Sequence, residues 1–287
     1  MKEDGLNKGF LEAKKITRGF AKTFYLASVF LPKDKRLASY AVYALCRLSD
    51  ESVDSMQAHS KKEALNKINK SIETAYSKTP IEDNLLLSFR HTVIKYAIPK
   101  EYFDELIEGM RMDLTQASYN NFNELYSYCY RVAGIVGLIM LRILGTREKS
   151  AEEFALSLGI AMQITNILRD IKEDFSRGRI YLPLEDLNKF SLSKENIASN
   201  KVNDDFIKLM KFEIERCREY YQKSQKGIQM ITGPRERFVV IAMKEMYSQI
   251  LRQIEKQSYD IFSSRAHLNK FQKILAVIKV IMRGEYL

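Results

Sequence analysis

Apolar residues recur along this 287-residue chain at the three-and-four spacing of helices almost from end to end, and alternating strand-like runs are hard to find. LNKGFLEAKKITRG, from Leu6 to Gly19, reads as a first helix; FAKTFYLASVFLP follows and ends at Pro32; KDKR then opens a long helix running to about Met56. HSKKEALNKINKSIETAYSK is amphipathic and peripheral, and Pro80 and Pro99 punctuate the starts of the next helices. NNFNEL reads as a loop and capped entry into a strongly apolar helix, where Gly134 and Gly137 lie one turn apart at some cost in helix propensity. Such small residues serve close helix packing, room for a bulky apolar ligand, or a bend. Gly178 and Pro183 end a central helix, two long helices run from about Asn203 to Gly233 and from Pro234 to Tyr259, and a last one begins near His267.

Two stretches depart from ordinary amphipathicity. EFALSLGIAMQITNILRDIKED, from Glu153 to Asp174, is apolar on nearly every side between Phe154 and Leu168, the mark of a helix without a solvent face. It nevertheless carries Asn166, Asp170 and Asp174 at i, i+4 and i+8, with Gln163 one turn earlier on the same stripe. In SYAVYALCRLSDESVDSM, Tyr43, Arg47, Asp50 and Asp54 form a second stripe among apolar neighbours. A D-x-x-x-D spacing alone is common on solvated helices. Two core-like helices that each carry one suggest a cavity walled by oxygen ligands, able to hold hard divalent ions against a polyanion. Arg47 and Arg169 lie beside these acids and suit phosphate oxygens. Arg177, Arg179 and Tyr181 sit where a flap over an anionic substrate could close; a solvated basic loop is the simpler alternative.

With 46% hydrophobic and 29% charged residues, only five prolines and twelve glycines, the chain reads as one all-α domain over residues 1–287. A net charge of +10 raises a nucleic-acid reading, but the basic residues are scattered among acids and match no binding signature, so no nucleic-acid partner is expected. Anionic membrane surfaces or diphosphates account for the charge as well as solubility does. Cys46, Cys129 and Cys217 are dispersed and odd in number, which fits a reducing, cytoplasmic setting, and three scattered histidines give no zinc site or triad. The run from Ile135 to Leu144 is short of the ~20 residues that span a bilayer. A soluble protein with peripheral membrane contact is expected.

Taken together, AKTF, YALCRLSDESVD, YCYRVAGIVG, QITNILRDIKED with RGRIYLP, and AMKEMYSQIL resemble, in this order, the motifs of the squalene/phytoene synthase family. The resemblance implies an all-α isoprenoid-synthase fold with a deep central cavity and Mg²⁺-dependent head-to-head joining of two prenyl diphosphates through a cyclopropylcarbinyl diphosphate. It implies Asp50, Asp54, Asn166, Asp170 and Asp174 as metal ligands, and Lys22, Thr23, Tyr43, Arg47, Gln163, Arg169, Tyr247 and Arg265 as substrate contacts, to which the flap reading adds Arg179 and Tyr181. Tyr128 joins the catalytic set, with Tyr43 and Tyr247 as further rings able to stabilise cations. Phe20 departs from the polar residue or histidine that some members carry.

The product is argued from Ser28, one helical turn after Phe24. In the family, enzymes forming C30 products resemble one another in a bulky aromatic at the matched position, whereas phytoene synthases tend to have a small residue. A serine in the cavity wall would leave a longer tunnel open, favouring two geranylgeranyl diphosphates and phytoene, although Tyr40 could narrow the same tunnel. The alternatives are two farnesyl diphosphates giving dehydrosqualene, or squalene if NADPH supplies a hydride. Outside enzymology, the same fold could serve as a catalytically inactive assembly factor.

Overall fold

The computed structural model describes residues 2–54 and 58–287, with side chains for 3–47 and 62–287. All regular secondary structure among the described residues is helical, apart from two isolated β-bridges. Its first six helices are α1 (Lys2–Phe20), α2 (Lys22–Ser28), α3 (Lys33–Asp54), α4 (Ala58–Tyr76), α5 (Asn84–Lys95) and α6 (Lys100–Thr115). Then come α7 (Phe122–Cys129), a π-helical turn (Tyr130–Gly134), α8 (Ile135–Leu144) and α9 (Ala151–Ser176). The chain closes with α10 (Leu184–Lys189), α11 (Lys194–Ala198), α12 (Asp204–Ile228), α13 (Pro234–Lys256) and α14 (Lys270–Arg283).

Local chemistry sets these boundaries where the sequence marks them. Asp83, Asn121 and Asn203 each accept a backbone N–H two or three residues into α5, α7 and α12, satisfying donors that a helix start leaves open. Pro99 is the N-cap of α6 and Pro234 opens α13, whereas Pro80 lies in the loop ahead of Asp83. Asn269 and Gln272 close a reciprocal capping box on α14, and Gly284 ends that helix with φ 63°.

Helix α9 is central, packing against α12, α13, α8 and the π turn. Gly137 and Gly159 explain how closely: a Cβ on Gly137 would stand 2.4 Å from the Ala155 carbonyl oxygen, and one on Gly159 2.2 Å from that of Ala133. Gly137 therefore serves backbone-to-backbone packing and also reaches the cavity wall, whereas a Cβ on Gly134 would meet the Leu156 side chain at 3.2 Å. Together α7, the π turn and α8 form a 23-residue rod, Phe122–Leu144, long and apolar enough to cross a membrane by composition. Leu125, Tyr128, Cys129, Ile135, Leu138 and Ile139 on it are buried as core. Deep on α12, Arg216 donates to Asp186 at 2.8 Å and to both oxygens of Glu213 at 2.9 Å, a buried ion trio distant in sequence from both acidic stripes.

Candidate active site

A cavity of about 980 Å³, at the upper end for ligand sites, runs between these helices. Along α9 its wall is Ala151, Phe154, Ala155, Leu158, Gly159 and Met162, then Gln163, Asn166 and Arg169. At 1.5 Å per residue that stripe is about 27 Å long, and it changes from apolar to polar along its length. Between Phe154 and Leu168 the helix has no exposed residue, as its sequence predicts, and its partly open side faces the cavity. The opposite walls add Phe24, Val42 and Tyr43 from α2 and α3, and Tyr128, Val132 and Val136 from the rod.

At the polar end, Arg169 donates to both oxygens of Asp170 at 2.8 and 2.5 Å, and Arg265 does the same at 2.7 and 3.0 Å. Burial disfavours the Asp170 charge, but these guanidiniums outweigh it and hold its pKa below the ordinary carboxylate value. Asp174, one turn on, shows the reverse. Burial, followed by the charge on Asp170, pushes it up to about 7 against the pull of Arg177 and Arg179. Two carboxylates one turn apart therefore behave oppositely because only one has arginines bonded to it.

Lys22, Thr23, Tyr43, Gln163, Asn166, Arg169, Tyr247, Arg265 and Tyr128 all line the cavity, so residues predicted from distant motifs come together. The guanidinium of Arg47 lies 4.6 Å from the ring centre of Phe20, itself a lining residue. The side chains of Asp50 and Asp54 lie outside the described residues. Arg179 and Tyr181 stand behind the wall: Arg179 N–H bonds the Asp174 carbonyl, Ile180 N–H that of Ala117, and Leu184 N–H that of Tyr119. The expected flap is thereby pinned to the loop between α6 and α7.

Ser28 requires correction. It is fully buried and absent from the cavity wall; its hydroxyl bonds the Tyr25 carbonyl and the Tyr40 hydroxyl, each at 2.9 Å. Phe24 does face the cavity, but α2 ends at Ser28 and has by then passed against α3, where Tyr40 occupies the space the tunnel was expected to use.

One residue was missed. Asp113, on α6, lines the cavity and accepts hydrogen bonds from Tyr181 at 2.7 Å and Tyr128 at 3.2 Å. Burial first, and the Asp113 charge second, raise the pKa of both phenols, so they stay protonated donors. The only sequence signal was a carboxylate among apolar residues in GMRMDLT.

An all-helical shell around a long apolar cavity with acids, amides and cations at one end defines an enzyme class that handles apolar chains bearing an anionic head. The chain belongs to the squalene/phytoene synthase family, whose model matches residues 17–272. It is 36% identical over 295 residues to the 15-cis-phytoene synthase of Synechococcus elongatus, covering 98% of this chain and 95% of that one. It is 40% identical over 279 residues to a chloroplastic phytoene synthase of an Oncidium hybrid, covering 95% and 67%. A dehydrosqualene synthase solved with a ligand superposes with a TM-score of 0.92 at 26% identity over the full length of both chains. A squalene synthase from Alicyclobacillus acidocaldarius gives 0.83 at 25%, covering 89% and 96%. The fold is the isoprenoid-synthase fold, and the protein is a prenyl transferase that condenses prenyl diphosphates head to head.

Proposed function

We propose that this prenyl transferase works as a single domain and joins two geranylgeranyl diphosphates to phytoene. The observation that carries the reading is the α9 wall, apolar from Ala151 to Met162 and polar from Gln163 onward. Phe154 lies twelve to fifteen residues before Asn166 and Arg169, or about 18–22 Å along the helix. With C–C bonds of about 1.5 Å, an extended geranylgeranyl chain reaches roughly 19 Å and a farnesyl chain roughly 14 Å. The wall therefore suits the longer chain, in agreement with the names of the 36–40% identical relatives. The similarity to a dehydrosqualene synthase favours the second reading, two farnesyl diphosphates giving a C30 product.

The donor set fits Mg²⁺. Asn166, Asp170 and Asp174 offer oxygen alone, and the burial and charge that push Asp174 up to about 7 mark a place where added positive charge is favourable. Among the described residues no three acidic, His or Cys side chains suffice to hold an ion. Mg²⁺ ordinarily takes one or two carboxylates and completes its shell with substrate phosphates and water. Asp50 and Asp54 would join Asn166, Asp170 and Asp174 in holding it. When bound, it supplies positive charge against the departing diphosphate.

Lys22, Thr23, Arg47, Arg169, Tyr247 and Arg265 bind the diphosphates, with Gln163 orienting the polar end; Arg179 acts from behind through Tyr181. As the C1–O bond breaks, its electron pair leaves with the diphosphate, and the apolar wall keeps water from the allylic cation. Attack by the C2–C3 double bond of the second chain forms a C–C bond to C1 of the cation. Loss of a proton from that C1 lets it bond to C3 of the second chain, closing the ring of the cyclopropylcarbinyl diphosphate. A second ionisation and rearrangement join the two head carbons, and loss of a proton gives the new double bond, so the phytoene route needs no NADPH. The faces of Tyr43, Tyr128 and Tyr247 stabilise the passing cations, and Asp113 holds Tyr128 in place. Incubation with Mg²⁺ and either geranylgeranyl or farnesyl diphosphate, with and without NADPH, tests this: phytoene without NADPH is expected, and exclusive C30 product overturns the chain-length assignment.

A further inference from the structure

Helix α14 is built inside out. Toward the protein it buries only Ala276, Val277 and Val280, whereas Phe271, Ile274, Leu275, Ile278, Ile281 and Met282 are exposed, from 44% for Ile278 to 81% for Met282. A surface helix ordinarily turns its large apolar side chains inward. Elsewhere exposed large apolar residues are scattered, which is unremarkable on any surface; here six crowd one 14-residue helix. Its charged residues are Lys270, Lys273, Lys279 and Arg283, with no acid among them; Lys279 and Arg283 pair with Glu245 of α13 at 3.0 and 3.7 Å, which leaves Lys270 and Lys273 unpaired among the described residues.

Position adds a second observation. Lys273 lines the cavity, and the exposed lining residues Phe20, Lys22, Arg265 and His267 mark where that cavity opens. The helix therefore starts at the mouth and carries its apolar face away from it.

We propose that α14 is a docking helix that lies in the interface of an anionic lipid bilayer and brings the cavity mouth to the membrane surface. The apolar stripe matches hydrocarbon, and Lys270 and Lys273 at the mouth end, which have no acid partner among the described residues, match anionic headgroups. A second copy of the chain fits less well, because each α14 would bring Lys270 and Lys273, and no acid of its own, to the other. The purpose of docking rests on the function proposed above, since a long prenyl chain and a hydrocarbon product both partition into bilayers; the surface itself does not.

The test is co-sedimentation of the intact protein with phosphatidylcholine vesicles with and without phosphatidylglycerol. Binding to the anionic vesicles is expected, reduced at least about tenfold by Ile274→Asp with Ile278→Asp, and reduced by several-fold with Lys270→Gln. Turnover of detergent-dispersed substrate by the Asp variant should stay near wild type, which separates lost docking from lost folding or chemistry. Independently of any variant, amide exchange in α14 of the wild-type protein should slow when anionic vesicles are added. Failure to bind, unchanged binding by the Asp variant, or a wild-type dimer that this variant dissociates while vesicle binding persists overturns the proposal. Vesicle binding without prenyl turnover would refute the proposed function and leave the docking surface standing.

Discussion

Asp170 and the pair Asp186 and Glu213 are all carboxylates clamped by arginine, yet they sit in opposite surroundings. Arg216, Asp186 and Glu213 keep 16%, 5% and 2% of their side chains exposed and are enclosed by packed core. Asp170 is also sheltered, at 16%, but its second arginine, Arg265, is 47% exposed, belongs to the loop before α14, and lines a large cavity together with Arg169. An ion pair in a closed core has no third party to meet. One at the edge of a cavity has cations available for an arriving anion, so surroundings rather than pairing separate the structural cluster from the functional one.

The largest effect should come from breaking the closed cluster. Arg216→Ala leaves the buried Asp186 carboxylate and the Glu213 carboxyl without their guanidinium and should cost about 3–5 kcal/mol of unfolding free energy, measured by denaturant titration. At low temperature the folded fraction should retain wild-type turnover. A loss of activity without a loss of stability would move Arg216 into the catalytic region and erase the distinction.

Asp170→Asn tests the open cluster from the other side. It keeps size and removes charge, so turnover should fall about a hundredfold to a thousandfold, while stability changes by less than about 2 kcal/mol. Near-normal turnover would show that Asp170 is merely the partner of Arg169 and Arg265.

The open cluster was legible in sequence because its members share one helix: Asn166, Asp170 and Asp174 at four-residue spacing on an otherwise apolar segment leave few physical readings. Arg265, almost a hundred residues later, entered only through family resemblance, and the structure brings it to the same carboxylate. Asp113 escaped because its partners come from different elements, Tyr128 from α7 and Tyr181 from the segment after α9. The trio around Arg216 escaped for the same reason, since Asp186 on α10 lies thirty residues from Arg216 on α12. Ser28 failed differently. Helical periodicity correctly put it below Phe24, but whether that turn meets cavity or protein is decided by Tyr40 on another helix.

Helix α12 carries both kinds of position, since Gly227 reaches the cavity wall while Glu213 and Arg216 do not. A Cβ on Gly227 would come 2.3 Å from that of Phe154, which no side-chain rotation can move, so Gly227→Ala should push the Phe154 turn of α9 off α12 and carry its ring toward the cavity. Selectivity between geranylgeranyl and farnesyl diphosphate, measured by competition, should then move toward the shorter chain by roughly tenfold, with about 1–3 kcal/mol of overpacking cost. Adding Phe154→Leu should restore the longer substrate. Unchanged selectivity would remove Phe154 as the length-setting side chain. Ser28→Phe, by contrast, should destabilise the packing of α2 on α3 without redirecting the product.

The smallest effect is a pH dependence confined to the closed cluster. Burial, opposed by Arg216 and reinforced by Asp186, raises Glu213 from its ordinary 4.5 to about 8. Between those values the native state binds a proton that the unfolded state has released, so its stabilising contribution is complete below about 4.5 and lost as pH rises through about 8. Glu213→Gln removes this titration and keeps an oxygen for Arg216. Relative to wild type, the variant should therefore gain about 1 kcal/mol between pH 7 and pH 8, read from denaturant midpoints at the two values. Parallel pH profiles for the two proteins would mean that Glu213 is ionised throughout and that Arg216 carries both carboxylate charges at once.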